Sequence, residues 1–309
     1  MKQRLVAVIY NPHAGTLLQH ADKSFEEFIY QLTQSNNLVD IHAIQFSASK
    51  LADIQQQVIE QQYDEVWAAG GDGTIISVAK MLKETNIPLG IIPGGTMNLL
   101  ARDLGFSLDL TQAVYQLIDS TPGYIDVAQL NDEPFFCIAN IGLSTRLTEK
   151  REALRQQPGW IRWPRVTFET IKNMFVYKPL KIRVVTPDSE INIKTRALSV
   201  SNNPLGDSIG LIPERYHLNK GLLGIYITRS RSLWTLPKLV LKFINGSWKQ
   251  DADILDIETP KADIFIDTHR TMKIMIDGEL HKLAPPYHFH VRPNALNILK
   301  PNVPQKRDL

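Results

Sequence analysis

Short apolar runs alternate with amphipathic stretches through the first third of the chain. Arg4 to Tyr10, Val39 to Phe46, Glu65 to Ala69 and Leu89 to Ile92 read as buried strands, too short and too uniformly apolar for surface helices. Helical spacing follows each of them. One helix runs through Leu32, with Asp22 or Ser24 as its cap. A second spans Lys50 to Gln62 and puts Leu51, Ile54 and Val58 on one side. A third carries Ile75, Ile76, Val78, Ala79 and Leu82, a fourth starts near Met97, and a fifth spans Asp109 to Ile118. Strand and helix alternating across short turns predict a parallel sheet covered on both faces.

The period changes after Thr121-Pro122-Gly123. Tyr124 to Leu130 and Pro134 to Ile141 read as a hairpin around Asn131-Asp132-Glu133. Lys181 to Val185, Ile191 to Val200, Leu222 to Thr228, Ile254 to Thr259, Ala262 to Asp267 and Met272 to Asp277 add strands, with few helical stretches between them. The expected architecture is therefore an α/β N-terminal domain, residues 1–123, followed by a mainly antiparallel β-sandwich or barrel domain, residues 124–293. Three helical segments interrupt the second domain. Arg146 to Arg155 is charged; Pro158 to Tyr177 and Ser232 to Trp248 are aromatic and basic. Trp160, Trp163 and Arg165 suit a membrane interface, or a helix packed on the sandwich with its bases in water.

Composition narrows the class. The 309 residues are 43% hydrophobic and 21% charged, as in a soluble globular protein. A net charge of +2 gives no reason to expect a nucleic-acid partner. The single cysteine, Cys137, excludes an intrachain disulfide and fits a reducing, cytoplasmic setting. The first apolar run, Leu5 to Ile9, is too short for a signal-peptide core, and no run reaches a membrane span. A homodimer is compatible with the sequence.

The candidate chemistry sits at the strand ends. Gly70-Gly71-Asp72-Gly73-Thr74 and Pro93-Gly94-Gly95-Thr96 are glycine turns between a strand and a helix, and Asn11-Pro12-His13-Ala14-Gly15 is a third turn after a strand. Such turns let backbone N–H groups and a helix N-terminus approach a phosphate. Neither glycine turn is a Walker A loop. Asp72 would repel a bare phosphate; it suits a cation-bound phosphate or the orientation of a hydroxyl. An ordinary tight turn with a solvated carboxylate is the plainer alternative. All three turns fall at strand carboxyl ends, where open α/β sheets bind ligands.

These residues, with Asn98, Ala101-Arg102-x-Leu104-Gly105, Ile125-Asp126-Val127, Asn140-x-Gly142 and Asp277-Gly278-Glu279 in that order, resemble the diacylglycerol kinase catalytic-domain family, which includes the bacterial YegS-type and sphingosine lipid kinases. The resemblance covers essentially the whole chain. It implies an α/β nucleotide domain and a β-sandwich-like domain with the site between them, and a C-terminal segment, residues 294–309, returning to the first domain. It implies transfer of the ATP γ-phosphoryl group, with Mg²⁺, to the hydroxyl of a diacylglycerol-like lipid at a membrane surface, by a cytoplasmic protein that associates peripherally with the membrane. Position by position, it assigns Asn11, Pro12, His13, Ala14, Gly15, Ser47, Gly70, Gly71, Asp72, Gly73, Thr74, Ser77, Thr96 and Asn98 to ATP, and Asp72 also to the metal side of its phosphates. It assigns Glu279 as the general base and Asp126 as a carboxylate needed for activity. Read alone, Asp277-Gly278 is a hairpin turn, Glu279 a solvated strand residue and Asp126 a surface strand residue.

Three places depart from the family pattern, one of them the loop Asn202 to Gly210, which is less glycine-rich than is common in the family. Leu99 follows Asn98 where the family often has Asp, and Lys220 stands where many members have an Asp that helps hold a structural cation. A soluble-substrate kinase of the NAD kinase type and a non-catalytic nucleotide-binding regulator are the competing expectations.

Overall fold

The structure, a computed structural model, describes residues 3–15, 17, 24–34, 38–143, 145, 178–207, 214–229, 242, 247–249, 251–268 and 270–302. It divides into two units: Met1–Val127 with Pro293–Leu309, and Ala128–Arg292. The boundary falls after Val127 rather than at residue 123, so Asp126 lies in the first unit and not in the second.

The first unit is an α/β domain built on parallel strands. β1 (Arg4–Tyr10) lies between β2 (Val39–Gln45) and β3 (Glu65–Gly70), and β4 (Leu89–Pro93) pairs with β3 on its other edge, all in parallel. Every residue of β3 and β4 is buried, which is why both read as continuous apolar runs. The helices are α1 (Phe25–Gln34), α2 (Leu51–Glu60), α3 (Asp72–Leu82), α4 (Leu99–Leu104) and α5 (Leu110–Ile118). Ser24 Oγ accepts the Glu27 N–H (3.2 Å) ahead of α1, and Asp109 Oδ1 caps α5 through the Gln112 N–H (2.9 Å). The strand order β2-β1-β3-β4 changes direction between β1 and β3, which makes the space past their carboxyl ends the switch point of the sheet.

The second unit is the mainly antiparallel β-sandwich. After β5 (Thr121–Leu130) come β6 (Glu133–Phe135), β7 (Ile138–Gly142), β8 (Leu180–Val185), β9 (Glu190–Asn202), β10 (Leu223–Arg229), β11 (Ile254–Thr259), β12 (Lys261–Ile266), β13 (Met272–Ile276), β14 (Glu279–Leu283) and β15 (Tyr287–Lys300). β9 pairs with β8 along its first half and with β7 and β10 along its second. The main core of this unit is built largely of Ile, Val, Leu and Phe side chains, including Phe135 and Phe289 in edge-to-face contact. β15 enters the first unit from Pro293 onward, where Ile298 pairs in parallel with Leu89 of β4.

The strand pattern differs from expectation at two places. Pro134 to Ile141 is not one strand: β6 pairs with β5, whereas β7 pairs with β9 and β13, and the chain breaks at Phe136-Cys137. β14 and the first half of β15 were not legible, because few of their residues alternate cleanly. Trp248, at the end of the aromatic and basic 232–248 segment, is 1% exposed and packs edge-on against Tyr226, as the alternative of packing on the sandwich expects. The segments 146–155 and 158–177, with Trp160, Trp163 and Arg165, and most of 232–248 lie outside the described residues.

Glu65 shows how tightly the first sheet is specified. It is 4% exposed, pairs with Arg4 (2.6 Å) and accepts from Trp67 Nε1 (3.0 Å), while Arg4 also donates to the Ile118 carbonyl (2.6 Å). Arg4→Met leaves that carboxylate buried without its cation and should cost about 3 kcal/mol, read from the midpoint of denaturant unfolding.

Candidate functional site

α3 starts where β3 ends. Gly71 is its N-cap, with extended backbone, and the first intrahelical bond runs from the Ile75 N–H to Gly71 O (3.1 Å). The N–H groups of Asp72, Gly73 and Thr74 precede that bond and have no intrahelical acceptor, so they form the electropositive end of an 11-residue helix. A Cβ at Gly73 would meet nothing within 4 Å, and neither would one at Gly15. The space beside these two glycines is open.

The other glycines of the two turns are packed against each other. The Gly94 N–H donates to Gly70 O (2.7 Å). A Cβ at Gly95 would lie 2.7 Å from Gly71 Cα, and one at Gly94 3.1 Å from Gly70 Cα. No side chain fits between the turns, which is the physical need for glycine here.

Asp72 then joins the two turns by hydrogen bonds. Its Oδ2 accepts the Asn98 N–H (2.9 Å) and its Oδ1 the Leu99 N–H (2.7 Å). The carboxylate thus caps the start of α4 from a different element. Asn98 sits in the left-handed region at φ 50°, is 4% exposed, and closes its own turn: Oδ1 accepts the Gly95 N–H (2.9 Å) and Nδ2 donates to Gly95 O (2.8 Å). The sequence offered Asp72 to a cation or a hydroxyl; its nearest partners are backbone N–H groups. Leu99, the departure from the family pattern, takes part through its backbone alone.

The turn after β1 joins the same edge. The Asn11 N–H donates to Ala69 O (2.9 Å), and Asn11 Nδ2 donates to Thr74 Oγ1 (3.0 Å). Asn11 Oδ1 accepts the His13 N–H (3.0 Å), and the Ala14 N–H reaches Asn11 O (3.0 Å). Pro12 is half-buried, Ala14 is buried, and His13, Gly15 and Thr96 are exposed. Ser77 Oγ donates back to Gly73 O (2.8 Å). Ser47 follows β2 at the same sheet edge, but its hydroxyl meets Ser49 Oγ (3.1 Å) rather than the other turns. The structure therefore brings Asn11, Gly70 to Thr74 and Gly94 to Asn98 together, with Ser47 at their margin.

Asp126 is fully buried, not a surface strand residue. Its Oδ1 accepts the Asn294 N–H (2.9 Å), which ties β5 to β15 inside the first unit.

In the second unit, Asp277 and Gly278 take left-handed angles (φ 48° and 89°) and turn β13 into β14. Glu279 opens β14 with a side chain 57% exposed, and its Oε2 lies 3.9 Å from His281 Nε2. Asp277 has a role that the hairpin motif conceals. Its carboxylate accepts the N–H groups of Phe136 (2.7 Å), Cys137 (2.9 Å) and Ile138 (2.9 Å). Those N–H groups would otherwise continue a strand, which explains the break between β6 and β7. Arg215, 3% exposed, donates to the carbonyls of Phe136 and Asn202 (2.8 Å to the latter). Asp277 keeps part of its own surface in solvent, yet its carboxyl group is enclosed. Burial raises its pKa, and the three N–H donors and Arg215 pull it back toward the charged form. Sequence reasoning missed Arg215 and the strand-ending role of Asp277. The one available signal was Asp-Gly closing a strand whose partner, at Phe136-Cys137, lacks a clean period.

Lys220 is exposed, and its N–H donates to Asn203 Oδ1 (2.8 Å). Among the described residues no three His, Cys, Asp or Glu side chains cluster as a metal cage, and no helix is long and apolar enough to cross a membrane.

Two predictions follow from this packing. Gly95→Ala and Asp72→Asn each loosen the contact between the two turns and should lower unfolding free energy by about 1–3 kcal/mol. Asp277→Ala strands three N–H groups beside Arg215 and should cost about 3–5 kcal/mol, with Asp277→Asn costing less; thermal melts of the purified variants check both.

Comparisons with known proteins agree with this architecture. Residues 5–130 match the model of the diacylglycerol kinase catalytic domain, and residues 137–300 match that of the YegS C-terminal NAD kinase beta sandwich-like domain. A Staphylococcus haemolyticus protein named "Putative lipid kinase SH2167" is 27% identical over 307 residues, covering 94% of each chain. A Staphylococcus aureus protein, "Putative lipid kinase SAR0780", is 23% identical and covers 96% of each. A crystal structure described as a "putative diacylglycerol kinase" from Bacillus anthracis superimposes with a TM-score of 0.73 at 19% identity, over 98% of this chain and 99% of the other, and so shares the fold. The two family models between them span the glycine turns, Asp126 and the Asp277–Glu279 hairpin, and the chain belongs to the diacylglycerol kinase catalytic-domain family of lipid kinases.

Proposed function

We propose that the chain transfers the γ-phosphoryl group of ATP to the hydroxyl of a diacylglycerol-like lipid. The observation that carries this reading is the open N-terminus of α3 at the switch point, held by the second glycine turn. Phosphoryl transfer asks the protein for positioning and charge stabilisation more than for covalent help. The N–H groups of Asp72, Gly73 and Thr74 supply fixed donors for the nucleotide phosphates, and the space beside Gly73 and Gly15 leaves room for them. Asn11 holds Thr74 and thereby the first turn of α3.

The donor set bears on magnesium. Asp72 is the carboxylate of these turns, and both its oxygens already accept backbone N–H groups. That does not make a protein-held cage; it fits an ion carried mainly by nucleotide phosphates, with Asp72 at most a single protein ligand. Bound there, magnesium supplies charge neutralisation on the phosphates.

Glu279 is the base in this reading. Its carboxylate is solvent-accessible, is acceptor-only when ionised, and sits on a hairpin anchored by Asp277. It takes the proton of the acceptor hydroxyl as that oxygen attacks. Membership in a lipid kinase family supports a lipid acceptor, and the diacylglycerol-like substrate class is our proposal.

Purified protein with radiolabelled ATP, magnesium and a total lipid extract should yield a labelled lipid, identified by mass. Absence of any labelled lipid, with label instead in NAD or in no product, overturns the reading. Glu279→Gln should lower kcat by about 10²–10⁴ while ATP still raises the melting temperature as in the parent chain.

A further inference from the structure

β14 reads Glu279-Leu280-His281-Lys282-Leu283 and ends the strand order beside β13. Alternate residues of a strand share a face, and the antiparallel register fixes which face that is. Glu279 lies opposite Ile276, and His281 lies opposite Ile274. Both isoleucines belong to the core of the second unit. Glu279 and His281 therefore stand on the inward face of an edge strand. Leu280 and Lys282 stand on the outward face, where Lys282 lies opposite Lys273. The inward face is covered progressively away from the turn: side-chain exposure falls from 57% at Glu279 to 23% at His281.

His281 Nε2 is enclosed, and among the described residues it makes no hydrogen bond. A buried polar atom without a partner costs stability and asks for an explanation. Glu279 Oε2 lies 3.9 Å away, too far for a hydrogen bond. Closing that gap takes a movement of about 1 Å, within the torsional freedom of a half-exposed glutamate. No other charged group competes from the neighbouring strand, whose residues on this face are Ile276, Ile274 and Met272. Tyr287 of β15 is buried and donates its hydroxyl to Leu283 O (3.3 Å), at the far end of β14. Among the described residues, Glu279 and His281 form no other ion pair. The carboxylate thus faces one side chain that is able to hold it, and that side chain has nothing else to hold.

We infer that His281 is a positioning residue for Glu279: with the acceptor bound, its Nε2–H donates to Glu279 Oε2 and leaves Oε1 turned to the acceptor hydroxyl. The inference deepens the proposed function and rests on Glu279 being the base. A glutamate with a solvent-accessible side chain samples many rotamers, and a base must be held to be effective. Catalytic hydrogen bonds often shorten to full strength only around bound substrate, which fits a contact of 3.9 Å here. The hydroxyl proton goes to Oε1, and His281 neither gains nor loses one. The unpaired Nε2 is then a cost in the resting fold that is offset when the carboxylate closes onto it.

The test is lipid labelling by the full chain from radiolabelled magnesium-ATP and a total lipid extract, in a mutant cycle. H281L should lower the saturating rate by about 10–100-fold with KM for ATP unchanged. Its melting temperature should not fall, since an unpaired buried polar atom is removed. H281Q keeps a side-chain N–H donor and should recover most of the rate. In the E279Q background, H281L should change the residual rate by less than about threefold, because the group it positions is already disabled. H281L at the parent rate, H281Q as impaired as H281L, or a further tenfold loss from H281L on E279Q overturns the inference. A second readout needs no activity. In protein labelled with ¹⁵N at the histidine rings, the Nε2 signal that H281Q removes should shift in E279L. An unshifted signal overturns the contact whether or not any lipid is labelled. A parent chain that shows the shift but labels no lipid overturns the proposed activity and leaves the Glu279–His281 contact standing.

Discussion

The first unit depends on one carboxylate placed between two helix starts. Asp72 begins α3 and accepts the N–H groups that begin α4. An anion at a helix N-terminus is stabilised by the dipole and by donors that lack other partners. Here one anion serves two such ends. It fixes the distance between them, and the Gly71–Gly95 contact allows no larger residue in the gap. A mobile glycine turn would lose entropy on closing around a phosphate. A turn clamped in this way has lost that entropy on folding, so the α3 donors stand ready.

The second unit uses the same device for another purpose. Asp277 also gathers backbone N–H groups, three of them, from a segment distant in sequence. There the carboxylate ends a strand and holds the hairpin on which Glu279 stands. Burial of such a group is costly unless each oxygen is satisfied, and Asp277 meets that condition with main-chain donors and a nearby arginine. Asp72, offered by the sequence to a cation or a hydroxyl, and Asp277, offered as part of a hairpin turn, both turn out first to organise backbone.

The legible parts of the sequence were those where burial is uniform. β1, β3 and β4 are buried on both faces, so composition alone marks them. α5 shows its apolar stripe and its Asp109 cap. The convergence of Asn11, Gly71 and Gly95 followed from strand ends and topology. What stayed hidden was the set of partners of each polar group. Asp126 looks like a surface residue in Ile125-Asp126-Val127, yet it is buried against the Asn294 N–H, which lies 168 positions away. The break at Phe136-Cys137 is imposed by Asp277, 140 residues on from Cys137. No local pattern encodes contacts at such separations. β14 escaped notice because its residues are mostly exposed and mixed in character.

The proposed function assigns the nucleotide phosphates to the N–H groups at the start of α3. Amide hydrogen exchange with and without magnesium-ATP tests it most directly. The account predicts slowed exchange at the N–H groups of residues 71–75 and 11–15, with little change in the sandwich core strands β7 to β9. Unchanged exchange at residues 71–75 in nucleotide-saturated protein, with new protection elsewhere, would contradict it.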